Sequence, residues 1–106
     1  MSKEILVVCA AGMTSSMIAA RMQKAAEADH YDVVIHSADS GDAENTLKEK
    51  QPDVVLLAPQ VRYFEEAFDK LAAGTKTKVG VMDMRAFGLM DGEKILTQAR
   101  TLLGDA

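Results

Sequence analysis

The chain has 106 residues, 48% of them hydrophobic, so it can bury one core and we expect a single domain over residues 1–106. Its 12 Lys and Arg residues against 16 Asp and Glu residues give a net charge of −4, which argues against nucleic acid as a partner. No apolar run reaches the roughly 20 residues of a membrane-spanning helix and no signal-peptide pattern begins the chain, so we expect a cytoplasmic protein.

The first half of the chain alternates between strand and helix patterns. Residues 5–8 form a short β-branched run that is typical of a strand buried on both faces. A helix is predicted over residues 14–27, a second strand over 31–38 and a polar helix over 41–50. We expect small and flexible side chains to form the packing face of the first helix: Met17, Ala20, Met22, Ala25 and Ala28.

The second half continues the alternation. Residues 54–58 and 79–82 predict the third and fourth strands. Between them, a third helix starts after Pro59 and ends at Ala73 and Gly74. Residues 83–92 are expected to be a loop. The last predicted helix covers residues 93–103.

This alternation predicts an α/β protein with one open, twisted parallel sheet and helices on both faces. Ligands of such sheets bind beyond the carboxyl ends of the strands. The loops of interest are therefore residues 9–16, 37–41, 59–63 and 83–92. Cys9 follows the first strand directly, at the mouth of this crevice.

Cys9 is the only cysteine, so neither an internal disulfide nor a structural zinc site of several cysteines can form. A lone cysteine is often a small buried hydrophobe, but this one begins a phosphatase-like loop that leads into a helix. The amide groups of such a loop and the helix dipole favour an anion. We expect Gly12 to have a positive φ, a hydroxyl residue to cap the helix, and the pKa of the Cys9 thiol to be lowered. The predicted phosphate-binding residues are Ala10, Ala11, Gly12, Met13, Thr14, Ser15 and Ser16.

A cysteine phosphatase or arsenate-reductase-like enzyme of low molecular weight is the alternative. Such a phosphatase needs an arginine six residues after the cysteine, where this chain has Ser15, and an Asp-Pro pair that is absent here. A loop without these groups should hold a phosphoryl group and hydrolyse it slowly, as a carrier requires. A dinucleotide-binding loop would need the pattern G-x-G-x-x-G, and this loop has only one glycine, Gly12. We expect no cofactor and no metal.

Three segments resemble the IIB component of the bacterial phosphoenolpyruvate-dependent sugar phosphotransferase system, lactose/cellobiose (N,N'-diacetylchitobiose) family. They are residues 5–16, 53–61 and 83–92. The resemblance implies a four-stranded parallel sheet of order 2-1-3-4. It also implies that Cys9 takes phosphate from a histidine of a IIA protein and passes it to sugar held by a membrane-embedded IIC protein.

The same resemblance implies a phosphate-binding loop at residues 12–16. Pro59, Gln60 and Asp83, in the neighbouring crevice loops, could support the site, although Asp83 could also simply end a strand. The protein would be a phosphotransferase acting on a sugar, a disaccharide or a β-glucoside, and we expect a monomer. Ala10 and Phe87 depart from the family pattern, in which Ser or Asn and Tyr are frequent.

Other residues of the predicted crevice have simpler interpretations. His30 and His36 could carry phosphate, but we expect surface or structural roles for both. Arg62 could steady a phosphate, although a solvated arginine at the start of a helix is the more common case. Adaptable apolar side chains near the crevice suit a surface that meets two partners in turn: Met13, Met84, Phe87, Leu89 and Met90.

Overall fold

The computed structural model describes residues 2–105. Strands and helices alternate along the chain, as predicted. The elements are β1 (Lys3–Cys9), α1 (Gly12–Ala28), β2 (Val33–Asp39), α2 (Ala43–Lys50), β3 (Val54–Leu57), a 3-10 helix (Pro59–Phe64), α3 (Glu65–Ala72), β4 (Lys78–Val81), α4 (Met84–Gly88) and α5 (Gly92–Leu103).

The four strands form one parallel sheet in the order β2-β1-β3-β4, which confirms the predicted fold class and strand order. The central strands β1 and β3 are buried on both faces, and their side chains from Ile5 to Cys9 and from Val54 to Leu57 are fully inaccessible to solvent. The sequences of such strands are continuous apolar runs because neither face of the strand is exposed to water.

Helices cover both faces of the sheet. The β1–β2 crossover runs in the opposite direction across the sheet to the β2–β3 and β3–β4 crossovers, so right-handed connections put α1 on one face and α2 and α3 on the other. The last helix, α5, packs against α1. This contact requires glycine at position 92, because a Cβ atom there would lie 2.5 Å from the backbone carbonyl carbon of Arg21.

The packing face of α1 differs from the predicted one. Met17 is 47% exposed, and Ala20 and Ala28 are also exposed. The helix begins at Gly12, and its contacts with the sheet and α5 select a stripe of helical period that the small residues alone do not identify. The buried residues of α1 are Ser15, Ile18, Ala19, Met22 and Ala26.

Two predicted segments are built differently. The third helix is a 3-10 turn followed by α3, because Val61 has φ −117° and ψ 22°, outside the helical region. The predicted loop 83–92 contains the short helix α4. Asp83 starts that helix, since its carboxylate accepts a hydrogen bond from the Ala86 amide at 3.0 Å.

Candidate functional site

The loops after β1, β3 and β4 meet at one edge of the sheet. The Ala58 amide donates to the Val8 carbonyl at 2.8 Å, and the Met82 amide donates to the Leu57 carbonyl at 2.8 Å. Val8, Leu57 and Val81 are therefore level with one another across the three strands. As a result, the predicted site residues that follow these strands lie along the same edge.

Cys9 is the last residue of β1, opposite Asp39 of β2, and it is fully buried. Desolvation of the thiol by this burial raises the pKa of Cys9 to about 11. The prediction of a lowered pKa is therefore wrong for this structure. Burial disfavours the thiolate, and the sequence signal of a helix amino terminus did not reveal how deeply the strand end is covered.

The helix after Cys9 begins without a side-chain cap. Ala11 occupies the N-cap position with extended backbone angles, and alanine offers no acceptor. The predicted hydroxyl cap is thus wrong: Ser15 Oγ donates to the Gly12 carbonyl at 2.9 Å, and Ser16 Oγ lies 3.4 Å from Ser37 Oγ. The first amide groups of a helix have no partners within it, so an uncapped start leaves these donors open to an anion.

Gly12 does not have the positive φ that we expected. It is the first residue of α1, and the glycines with positive φ within residues 2–105 are Gly74 and Gly104. A Cβ atom at Gly12 would meet no heavy atom within 4 Å. The turn from strand to helix is made by Ala10 and Ala11, both exposed, without a left-handed residue.

The segment after β3 contributes Pro59 and Gln60. Pro59 is buried at the start of the 3-10 helix, and Gln60 is exposed beside it. The Arg62 guanidinium donates to the Pro59 carbonyl at 3.0 Å and so closes its own turn. This contact agrees with the simpler interpretation of Arg62 as a residue of the helix start.

Asp83 lies just beyond β4, at the same edge as Cys9. Its amide donates to Gln98 Oε1 at 2.9 Å, and its carboxylate caps α4. Sequence reasoning identified Asp83 but missed Gln98, which lies 15 residues further along on α5 and belongs to no recognisable motif.

The two histidines lie away from this edge. His30 follows α1, where the chain turns back toward the amino ends of the strands, and it is exposed. His36 stands opposite Leu6 within the sheet, and its Nε2 lies 2.8 Å from Glu4 Oε1. These positions agree with the expected surface and structural roles.

Large apolar side chains are exposed around the carboxyl edge of the sheet. Of the predicted partner surface, Met13, Met84 and Leu89 are exposed, and Met13 is the most exposed at 78%. The other two residues, Phe87 and Met90, are half-buried against the core. We call the exposed set the apolar rim; it comprises Met13, Tyr63, Met84 and Leu89.

Two features are absent from residues 2–105, the part of the chain that the structure describes. That part of the chain contains no group of three or more His, Cys, Asp or Glu side chains arranged to hold a metal ion. It also contains no helix with the length and apolar character to cross a membrane.

Comparison with known proteins gives consistent matches over nearly the whole chain. A family model described as "PTS system, Lactose/Cellobiose specific IIB subunit" matches residues 4–98. The chain is 36% identical over 104 residues to the galactose-specific EIIB component of Lactococcus lactis subsp. cremoris, covering 95% of this chain and 96% of the relative. It is equally similar, with the same coverage, to the cellobiose-specific EIIB component of Lactococcus lactis subsp. lactis.

A third relative and two solved structures extend the match. The oligo-beta-mannoside-specific EIIB component of Bacillus subtilis is 30% identical over 101 residues, covering 95% of this chain and 96% of the relative. The lactose-specific IIB domain of Streptococcus pneumoniae superimposes with a TM-score of 0.81 at 20% identity, covering 95% of this chain and 97% of that one, and supports the fold alone. The solution structure of the cellobiose-specific IIB protein of Borrelia burgdorferi gives a TM-score of 0.75 at 28% identity, covering 99% of this chain and 94% of that one.

Proposed function

Since this chain belongs to the lactose/cellobiose-specific IIB family of the sugar phosphotransferase system, we propose that Cys9 is the residue that accepts and passes on its phosphoryl group. The protein is a sugar phosphotransferase component, and the phosphatase alternative has no support among its relatives. The observation that carries the assignment is the position of the only cysteine. Cys9 ends a central strand at the ligand-binding edge of the sheet and is followed by an uncapped helix.

The transfer of the phosphoryl group to Cys9 needs no base besides the two reacting side chains. Cys9 Sγ forms a bond to the phosphorus of a phosphohistidine, and the phosphorus–nitrogen bond breaks. The imidazole nitrogen keeps that electron pair and takes the thiol proton. Because the raised pKa of Cys9 keeps the thiol protonated at neutral pH, the departing imidazole is the base that the step needs.

The second transfer reverses these roles. A sugar hydroxyl oxygen attacks the phosphorus, the sulfur–phosphorus bond breaks, and the sulfur leaves with the electron pair and recovers a proton as the hydroxyl loses one. Cys9 returns to the buried thiol form. The chain thus carries the phosphoryl group without consuming any further reactant.

Between the two steps, the phosphoryl oxygens are held by residues 10–16. The open amide groups at the start of α1 supply donors and the positive end of the helix dipole. Thr14 and Ser16 add hydroxyl groups, whereas the hydroxyl of the buried Ser15 donates to the Gly12 carbonyl and holds the start of the helix. No arginine stands six residues after Cys9 to stabilise a hydrolytic transition state, so the group is retained rather than released to water.

Transfer also requires a local opening. Cys9 is fully buried, whereas Ala10 and Ala11 next to it are exposed and small. A shift of this two-residue turn exposes Sγ while leaving the sheet intact. Pro59, Gln60 and Asp83 support the opposite side of the crevice through the loops after β3 and β4.

The partners follow from the family. A IIB component works with a IIA protein, a IIC protein and a sugar. We propose that the donor is a phosphohistidine of the IIA protein and that the acceptor, held by a membrane-embedded IIC protein, is a disaccharide or β-glucoside. The cellobiose and oligo-beta-mannoside names of two relatives support that sugar class. The protein acts as a monomer at the cytoplasmic side of the membrane.

The test is phosphorylation by a radiolabelled phospho-IIA protein of this family, followed by mass spectrometry of the labelled peptide. We expect one phosphoryl group on Cys9 and none after Cys9→Ser, because a serine hydroxyl is a poorer nucleophile and a much weaker acid than the Cys9 thiol. His30→Gln and His36→Gln serve as controls and should accept phosphate normally. Label on either histidine, or repeated turnover of an aryl phosphate by the wild-type protein, would contradict the assignment.

A further inference from the structure

The outer strand β4 ends beside the functional edge of the sheet. It pairs with β3 on one side only, so the backbone groups on its other side have no neighbouring strand. In a parallel ladder, one residue of a neighbouring strand donates its N–H to one carbonyl and accepts from the amide two residues further on. At the end of β4, these two groups are the Val81 carbonyl and the Asp83 amide.

Gln98 of α5 satisfies both groups. Its Nε2 donates to the Val81 carbonyl at 2.6 Å, and its Oε1 accepts from the Asp83 amide at 2.9 Å. The two partners fix the orientation of the side-chain amide, because a carbonyl can only accept and an N–H can only donate. The side chain of Gln98 therefore takes the place of one residue of a neighbouring strand.

This contact holds the start of α4. The Asp83 amide donates a hydrogen bond to Gln98, and the Asp83 carboxylate caps α4 by accepting a hydrogen bond from the Ala86 amide at 3.0 Å. The far end of the segment is also fixed, since Arg21 Nη1 donates to the Met90 carbonyl at 3.2 Å and the Asp91 amide donates to the Ala86 carbonyl at 2.8 Å. A helix of five residues is thus anchored at both ends.

The anchored segment presents apolar side chains to solvent. Met84 is 68% exposed and Leu89 is 61% exposed. Exposed apolar side chains on a fixed support are typical of protein docking surfaces, because a preorganised surface loses little entropy on binding. β4 lies two strands from β1, about 10 Å away at the usual strand spacing, so a protein whose histidine reaches Cys9 also covers α4.

We propose that Gln98 is a positioning residue that fixes α4 as a docking element for the phosphohistidine donor protein. The inference rests on the proposed function of Cys9 as the phosphate acceptor. Gln98 acts through Val81 and Asp83 and does not take part in the transfer itself. Its loss should therefore weaken the encounter with the donor protein and leave the chemistry at Cys9 unchanged.

The experiment compares two phosphoryl donors on the same variants. One donor is a phospho-IIA protein, which must dock, and the other is phosphoramidate, a small molecule with a phosphorus–nitrogen bond that needs no docking surface. Gln98→Met removes both hydrogen bonds at similar volume, and Gln98→Glu keeps only the acceptor for the Asp83 amide. Thr97→Ala, the neighbouring position on α5, is the matched control, since the Thr97 hydroxyl bonds only within its own helix.

For Gln98→Met, we expect KM for the phospho-IIA protein to rise about five-fold with kcat near the wild-type value, the loss expected for one net hydrogen bond. The rate with phosphoramidate should not change, and Gln98→Glu should give a smaller rise in KM. Amide hydrogen exchange at Asp83 should accelerate in Gln98→Met and less in Gln98→Glu. Thr97→Ala should match the wild type in all these measurements.

Three other results would contradict the inference. An unchanged KM in both Gln98 variants, or equal losses with both donors, would show that Gln98 only stabilises the fold. If Gln98→Met does not fold, Gln98→Glu takes its place: a rise in its KM for the phospho-IIA protein supports the inference, and an unchanged KM contradicts it. A wild-type protein that takes phosphate from neither donor would refute the assignment of Cys9 itself, and the inference with it, and this outcome is recognised before any variant is compared.

Discussion

Cys9 combines its proposed reactive role with a protected position. Its burial raises the pKa of the thiol to about 11, so we expect the thiolate to be scarce at neutral pH and the free protein to resist oxidation and alkylation. A carrier benefits from this protection because its thiol is needed only while a donor or acceptor is bound. In the proposed transfer the proton leaves with the departing imidazole, so reactivity would come from the partner rather than from the resting thiol.

The pH dependence of Cys9 gives the first prediction. Alkylation by iodoacetamide should be slow at neutral pH and should rise toward a midpoint near pH 11, which can be followed by mass spectrometry. The pKa is higher in the folded than in the unfolded protein, so burial of the neutral thiol contributes stability below a pH of about 8.5 and loses it as pH rises through about 11. Cys9→Ala, as the control, should lack this part of the pH dependence of unfolding. An alkylation midpoint below about 8.5 would instead support an activated thiolate.

Cys9 also shows which residue properties the sequence could predict. Its location was predictable, because a β-branched run followed by small residues and hydroxyl groups indicates a strand, a turn and a helix. Its pKa was not predictable, since burial at the end of β1 depends on segments distant in sequence. Gly12 was misread for a related reason: glycine permits a positive φ but does not require one, and here the helix begins at that residue.

Among the helices, the longer ones were predicted, including the polar helix α2, and the five-residue helix α4 was not. The helix α5 and the carboxyl end of α3 followed from apolar spacing and from Gly74, whose φ is 79°. The helix α4 was missed because five residues are too few to show a helical period. It depends on the Asp83 cap and on Gln98, which comes from another element. Tertiary contacts of this kind leave no local trace in a sequence.

Two glycines at helix starts give a matched prediction for α1 and α5. Gly12→Ala should stabilise the protein by about 0.5–1 kcal/mol, because alanine is the better helix former and its Cβ meets nothing within 4 Å. Gly92→Ala should destabilise it by about 1–3 kcal/mol, because the new Cβ would lie 2.5 Å from the Arg21 backbone and would force α1 and α5 apart. Urea unfolding of both variants measures the difference. Destabilisation by Gly12→Ala would show that position 12 needs the freedom of glycine after all.

The molecule places its proposed chemistry and most of its large exposed apolar side chains at one end. The sheet order puts β1 and β3 at the centre, and their carboxyl ends carry Cys9 and Pro59. The apolar rim stands around this edge, supported by α1, the 3-10 helix and α4. This arrangement was predictable in outline, because parallel strands bring their following loops together. Which residues of the predicted partner surface are exposed was not predictable, since Phe87 and Met90 turn toward the core.

We predict that the donor and acceptor proteins bind the same apolar rim and therefore cannot be bound to this protein at the same time. Both must reach the same buried sulfur, so each should cover the rim around it. Leu89→Ser should therefore raise KM for the phospho-IIA protein and weaken phosphate delivery to the IIC protein and its sugar, each by about three- to ten-fold, the range for trimming one apolar side chain in an interface. Stability should change by less than about 0.5 kcal/mol, because Leu89 is 61% exposed.

Val34→Ser is the control for that variant. Val34 is also apolar and is 43% exposed, but it lies on β2 opposite Glu4, near the amino end of the strand and away from the rim. Its replacement should leave both transfer steps unchanged, and phosphoramidate should phosphorylate both variants at the wild-type rate. Steady-state transfer from the phospho-IIA protein and sugar phosphorylation in IIC-containing membranes measure the two steps separately. If Leu89→Ser impaired only one step, the two partners would use different surfaces, and donor and acceptor could then bind this protein together.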